Sequence, residues 1–255
     1  ECRMQILELK PELLINAAAY TNVDNAESQI EVANQINGHA VGYLAKAANE
    51  LGIPIVHFST EYVFDGDNKN GYKESDIPNP VSAYGKSKLL GEQELQKNTD
   101  KFYLIRLSRL FGSSPQTPLP KGEGGLRPGE GVTLRKKSFV QVMIELAEKQ
   151  DIIEVVDEEL SSPTYALDLA ERAKWIVENQ KPGLYHAANS GASTWYGFAG
   201  EIFKILHKNV KLIPVKSEHF PRPARRPKYG VLLNTKLPVI RPWQEALAEF
   251  LNQES

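Results

Sequence analysis

The chain has 255 residues, 41% of them hydrophobic, with 30 basic against 32 acidic side chains and a formal charge of -2. That length buries a substantial core without staples, and the near balance of charge gives no bulk reason to expect nucleic acid or an anionic membrane as partner. A single cysteine, Cys2, excludes an internal disulfide or a Cys-rich zinc site and points to a reducing, cytoplasmic home, while no apolar run approaches the ~20 residues of a membrane span.

The opening stretch, ECRMQILELKPELLINAAAY, lacks an initiator Met, a signal-peptide pattern and a capping signal, so it reads as a chain that begins mid-domain. Residues 13–19, LLINAAA, form an apolar run before polar, turn-like residues, which predicts a buried strand delivering a loop at its carboxyl end. Val32, Ile36, Val41, Leu44 and Ala48 then recur at helical spacing, with Gly52 as the stop. IPIVHFS, 53–59, is a second strand without polar alternation, as suits a parallel sheet covered on both faces. A polar loop, a helix through SAYGKSKLLGEQELQKN and a strand FYLIRLS at 102–108 repeat the unit. Further helix-strand pairs are predicted at 139–156 and 164–188, then a helix near 194–207, a strand near 211–215 and a terminal helix through WQEALAEFL. The alternation predicts an open, mostly parallel α/β sheet. Residues 112–137 are crowded with Pro, Gly and charge and have almost nothing apolar to bury. They read as a surface insertion, with a substrate lid or a partner-binding loop as alternatives.

The sharpest local pattern is YGKSK, Tyr84 to Lys88. On a helix the two ends share a face, and an ammonium beside a phenol favours the phenolate, bringing its pKa down from about 10. Tyr84 then serves as a proton donor to a carbonyl oxygen, or an acceptor in reverse. Such a pair also arises by chance, so its context matters. Ser59 and Thr60 stand where a buried strand ends, in the kind of crevice where open α/β sheets bind ligands, and Thr60 is placed to orient a carbonyl; a turn cap is the alternative. His57 reads as a hydrogen-bonded core histidine, and the remaining histidines show no zinc-site spacing, so no metal is expected. Asp157 is expected to orient backbone and Glu158 to face solvent.

Taken together, 16–27 NAAAYTNVDNAE, 59–66 STEYVFDG, 84–92 YGKSKLLGE, 155–169 VVDEELSSPTYALDL and 222–243 RPARRPKYGVLLNTKLPVIRPW resemble the signature stretches of the dTDP-4-dehydrorhamnose reductase family of extended short-chain dehydrogenases/reductases. The resemblance implies a doubly wound, Rossmann-like domain at 1–158, including the 112–137 insertion, and a smaller, mainly substrate-binding lobe at 159–255 with elements returning to the first domain. It implies NADPH or NADH as cofactor, a dTDP-linked keto sugar as substrate, reduction of dTDP-4-dehydro-L-rhamnose to dTDP-L-rhamnose, and a homodimer. On the matching positions Thr60 would orient the keto group, Tyr84 would donate the proton, and Lys88 would hold the nicotinamide ribose and lower the Tyr84 pKa. Ala17, Ala18, Ala19, Tyr20, Asn37 and Ser59 would lie on the cofactor side, and Thr21 and Val23 would approach the sugar. Arg225 and Arg226 would lie on the substrate side, a solvated basic turn being an equal reading.

Two departures stand out. Arg109 occupies the position after the strand serine where the family usually carries Trp, which replaces a stacking surface by charge. The chain also has no Gly-x-x-Gly-x-x-Gly phosphate loop before LLINAAA, so the nucleotide-binding part is expected to be N-terminally incomplete and turnover of this polypeptide weak or absent. Two other functions compete: a noncatalytic regulatory subunit like the beta subunit of methionine adenosyltransferase, and another nucleotide-sugar reductase or epimerase.

Overall fold

A computed structural model describes residues 2–112 and 137–253, so nearly all of the expected insertion lies outside the described residues. The chain runs through helix α1 (Cys2–Leu9), strand β1 (Leu14–Asn16), helix α2 (Ile30–Asn34), a π-helical turn (Gln35–His39), α3 (Ala40–Leu51), β2 (Ile55–Thr60), α4 (Ala83–Asn98) and β3 (Phe102–Leu107). It continues through β4 (Leu110–Phe111), α5 (Phe139–Ala147), β5 (Ile152–Val156), β6 (Leu160–Ser161), β7 (Thr164–Tyr165), α6 (Ala166–Asn179), β8 (Gly183–His186), α7 (Trp195–Ile205), β9 (Lys211–Val215), β10 (Tyr229–Gly230) and α8 (Trp243–Gln253).

The main sheet has the order β1-β2-β3-β8 and every pairing in it is parallel, as the unbroken apolar strands predict. Side-chain alternation along β2 and β3 assigns the two faces. Ile55 and Leu104 pack with Val41, Ala45, Ala48 and Leu95 of α3 and α4. Val56, Tyr103 and Ile105 pack on the opposite side with Leu169, Ala173 and Ile176 of α6. The first strand is shorter than predicted, because Ala17, Ala18 and Ala19 leave the sheet as an exposed loop.

The unit at 139–156 does not extend this sheet. Strand β5 pairs in parallel with β9 as a separate ribbon. Val140, Met143, Ile153 and Val155 join Phe198, Ile202, Trp243, Leu247 and Phe250 in a second core. Periodicity identifies these elements as strand and helix but carries no partner choice, which non-local packing decides. The second core therefore draws on chain from both sides of residue 158.

Helix α4 sets the position of the site. Ser82 caps it by accepting from the Gly85 amide at 3.1 Å. Gly85 and Gly91 permit its close approach: a Cβ on Gly85 would stand 2.2 Å from the Tyr62 carbonyl oxygen, and one on Gly91 2.1 Å from that of Asn37. The predicted stop at Gly52 is met, with φ at +67° after the last turn of α3. No helix among the described residues is long and apolar enough to cross a membrane, and none of their His, Cys, Asp and Glu side chains cluster as a metal site would require.

Candidate active site

Strand β2 ends at Thr60 and α4 presents Tyr84 and Lys88 one turn apart, so the three meet where the parallel strands terminate. They line a cavity of about 350 Å³ together with Ala19, Thr21, Val23, Ser59, Glu61 and Tyr62 on the sheet side. Its other wall comes from Arg109, Leu110, Glu159, Ser161, Trp195, Pro227 and Gly230. A larger depression of about 560 Å³ beside Asp168, Arg172, Trp175 and Arg241 holds none of the predicted residues.

Tyr84 is half-buried, with the Tyr62 ring edge-on at 5.4 Å. Burial raises its pKa above the ordinary phenol value, Glu61 and Tyr62 add to the rise, and a hydrogen bond with Thr60 opposes it. The predicted lowering by Lys88 is therefore not what this arrangement gives. The Lys88 ammonium turns to β2, donating to the Phe58 carbonyl at 2.7 Å with His57 Nε2 at 3.5 Å. Burial brings Lys88 down to about 8, against an upward pull from Glu92. His57 is the core histidine expected: it is buried, its Nδ1 meets Asn16 Nδ2 at 3.1 Å, and burial followed by Lys88 holds its pKa far below the usual range. It is neutral at pH 7.

Sequence reasoning passed over Glu61. It is buried immediately after Thr60, whose Oγ1 donates to it at 2.8 Å, and Ser161 Oγ donates from the other wall at 3.4 Å. Burial raises its pKa, with Thr60 and Arg109 acting in the opposite sense. The signal available was a carboxylate directly following a strand-end threonine in an apolar setting.

Arg109 takes a backbone φ of +40°, in the left-handed region. Its guanidinium donates to the carbonyls of Ser193 at 2.7 Å and Glu159 at 2.8 Å, and covers the Trp195 ring at 4.0 Å from its centroid. Trp195 Nε1 donates to Glu159 Oε2 at 2.9 Å, and Arg222 pairs with the other oxygen. The expected loss of an aromatic surface at 109 is thus accompanied by an indole supplied from the first turn of α7.

The remaining predicted residues divide. Ala19, Thr21, Val23, Ser59, Thr60, Tyr84 and Lys88 line the cavity, whereas Ala17, Ala18, Tyr20, Asn37, Arg225 and Arg226 do not. Asn37 is buried and its amide clamps the loop after β1: it accepts from the Tyr20 amide at 2.8 Å and donates to the Tyr20 carbonyl and to Ser87 Oγ, each at 3.0 Å. Arg226 grips Asp24 with contacts of 3.0 and 2.7 Å, and this ion pair draws the Asp24 carboxyl below its ordinary value. Arg225 is exposed. Asp157 accepts from Thr194 Oγ1 at 2.5 Å, and Glu158 accepts from the Ser217 amide at 2.8 Å, so Glu158 braces backbone as well as being half-buried.

The chain matches the model of the RmlD substrate binding domain over residues 2–255. It is 38% identical to the dTDP-4-dehydrorhamnose reductase of Aggregatibacter actinomycetemcomitans, covering 93% of this chain and 80% of that protein. The spore coat polysaccharide biosynthesis protein SpsK of Bacillus subtilis is 35% identical, over 96% of this chain and 81% of its own length. The crystal structure of the Bacillus anthracis dTDP-4-dehydrorhamnose reductase in complex with NADP superposes with a TM-score of 0.88 at 31% identity, covering 98% of this chain and 84% of that one. With the family model spanning the chain and the parallel sheet delivering Thr60, Tyr84 and Lys88 to one cavity, the chain belongs to the RmlD-like dTDP-4-dehydrorhamnose reductases of the extended short-chain dehydrogenase/reductase superfamily.

Proposed function

We propose that this protein catalyses the NADPH- or NADH-dependent reduction of the 4-keto group of dTDP-4-dehydro-L-rhamnose, giving dTDP-L-rhamnose. The observation that carries the reading is the meeting of Thr60, Tyr84 and Lys88 on one cavity in a member of this family. Thr60 orients the keto oxygen and Tyr84 gives it a proton. Because burial and Glu61 disfavour the phenolate, Tyr84 keeps that proton until an oxygen gaining negative charge accepts it.

The residues present fit the nicotinamide-ribose end of a dinucleotide. Ala17, Ala18 and Ala19 form an exposed loop with only methyl side chains at the carboxyl end of β1, and Lys88 lines the cavity to which Ala19 contributes. The nicotinamide cofactor, when bound, supplies hydride to the keto carbon. Lys88 would hold its ribose, and Ala17 to Ala19 would let it approach the backbone. We assign the main sheet with its helices to the cofactor side, and the second core with Arg109, Glu159 and Trp195 to the sugar side.

The test is oxidation of NADPH by the purified protein in the presence of dTDP-4-dehydro-L-rhamnose, with the product identified by NMR. Formation of dTDP-L-rhamnose is expected, and no reduction of this sugar would overturn the reading. Running UDP- and GDP-linked keto sugars alongside separates a related reductase, for which Arg109 in place of Trp is the specific argument.

A further inference from the structure

Behind the cavity, three polar side chains close on one another inside the protein. Ser59 of β2 and Arg106 of β3 are paired in register, so their side chains emerge on the same face of the sheet, the face that α4 covers. Glu92 of α4 meets both. Ser59 Oγ donates to Glu92 Oε1 at 2.5 Å, Arg106 Nε donates to the same oxygen at 2.9 Å, and Arg106 Nη2 donates to Oε2 at 2.6 Å. The ion pair is sealed from solvent, with the arginine side chain 3% and the glutamate 1% exposed. The remaining amino group, Arg106 Nη1, finds no hydrogen-bond partner among the described residues, so every hydrogen bond of this side chain goes to Glu92, while the guanidinium lies 5.1 Å from the centroid of the Phe64 ring.

A buried ion pair of this kind is a poor source of net stability, because desolvation offsets the Coulomb gain. Its position offers another use. Glu92 lies one turn after Lys88 on the same helix face, and Lys88 donates to the carbonyl of Phe58, the residue before Ser59. One carboxylate therefore ties the end of β2 to α4 and stands as the negative charge acting on the Lys88 ammonium.

We propose that Glu92 is a positioning residue for the reaction assigned above: held by Ser59 and Arg106, it braces α4 against β2 and β3 and so keeps Lys88, one turn away, seated on the Phe58 carbonyl. The groups bearing on Lys88 agree with this assignment. His57 of β2 is neutral, Tyr84 of α4 keeps its proton, and Glu61 and Tyr62, in the turn after β2, act on Tyr84. From the short turn at 25–27, Glu27 is engaged with the Ala83 amide at the start of α4. Glu92 alone draws Lys88 toward the charged form, while burial pushes it toward the neutral one.

The inference rests on the proposed role of Lys88, so the test reads Lys88 directly. In protein without cofactor, labelled with carbon-13 at the lysine Cε positions, Lys88 is followed by NMR through a pH titration in wild type and in Glu92→Gln. The Lys88 midpoint is expected to fall by about one unit in the variant. The alkaline limb of kcat/KM with NADPH and keto sugar is expected to move to lower pH by the same amount. Glu92→Leu combined with Arg106→Met replaces the pair by apolar packing and guards against misfolding of the single variant; it is expected to lower the midpoint as well. A Lys88 midpoint unmoved in a folded variant would overturn the proposal, whatever happens to Tm. If wild type reduces no keto sugar, the functional reading fails while the titration still decides the role of Glu92.

Discussion

The two walls of the cavity are built in different ways. On the sheet side, Thr60 closes a single strand and Tyr84, Lys88 and Glu92 follow one another at four-residue intervals on a single helix, so chain spacing aligns them as soon as α4 forms. The opposite wall is stitched from Arg109, Glu159, Ser161, Trp195 and Gly230, which belong to short strands, a turn and a helix start far apart in sequence. There a guanidinium with two carbonyl acceptors and an indole beneath it performs the alignment that a helix repeat performs on the other side. The wall that carries Tyr84 and Lys88 is locally encoded, and the wall that carries Arg109 and Trp195 depends on the whole fold.

Substitutions on the two walls should fail differently. Tyr84→Phe has the largest expected effect: turnover falls by roughly 100- to 10,000-fold while NADPH binding, read by fluorescence, stays near wild type. Turnover within tenfold of wild type would remove Tyr84 as the proton donor.

Gly91→Ala tests the seating of α4 itself. With the added Cβ 2.1 Å from the Asn37 carbonyl oxygen, the helix must shift, and a loss of about 1–3 kcal/mol in urea unfolding is expected. An unchanged midpoint would show that the sheet-side wall tolerates looser packing than its geometry implies. Arg109→Ala addresses the other wall. Removing the clasp over Trp195 is expected to raise the KM for keto sugar roughly tenfold, about 1.4 kcal/mol, with kcat and NADPH affinity little changed. A fall in kcat without a change in KM would group Arg109 with Tyr84 and Lys88 instead.

The smallest effect is expected at the Asp24–Arg226 pair, which pins the Thr21 and Val23 loop to the C-terminal stretch. Asp24→Asn should cost about 1 kcal/mol at pH 7, a value set by partial exposure and solvent screening. The Asp24 carboxyl is held below its ordinary value. Its contribution is therefore complete above the unfolded-state pKa, near 4, and is lost as pH falls through the lower folded value. The Tm gap between wild type and variant should accordingly close on acidification, and a gap independent of pH would exclude the ion pair as its source.

How far the site was legible follows the same division. The Tyr84–Lys88 spacing, the strand-end Thr60 and the core role of His57 follow from periodicity, and all four reach the expected neighbourhood. Asn37 was expected on the cofactor side and Arg226 on the substrate side, but hydrogen bonding turns them to the loops around 20 and 24 and neither lines the cavity. Glu61 and Glu92 escaped notice because a charged residue in a sequence reads as solvated by default, and only the packing of α4 on β2 and β3 buries them.

By itself, the amino-acid sequence determined the parallel α/β alternation, the family and the helix that carries Tyr84 and Lys88, because side-chain periodicity and four-residue spacing are properties of a local chain. The tertiary structure alone decided that β5 pairs with β9 outside the main sheet, that Arg109 rests on Trp195, and that Tyr84 is raised rather than lowered. Each of those outcomes depends on which distant groups share a water-poor interior. Burial and its partners, not spacing, set the energy of a charge there.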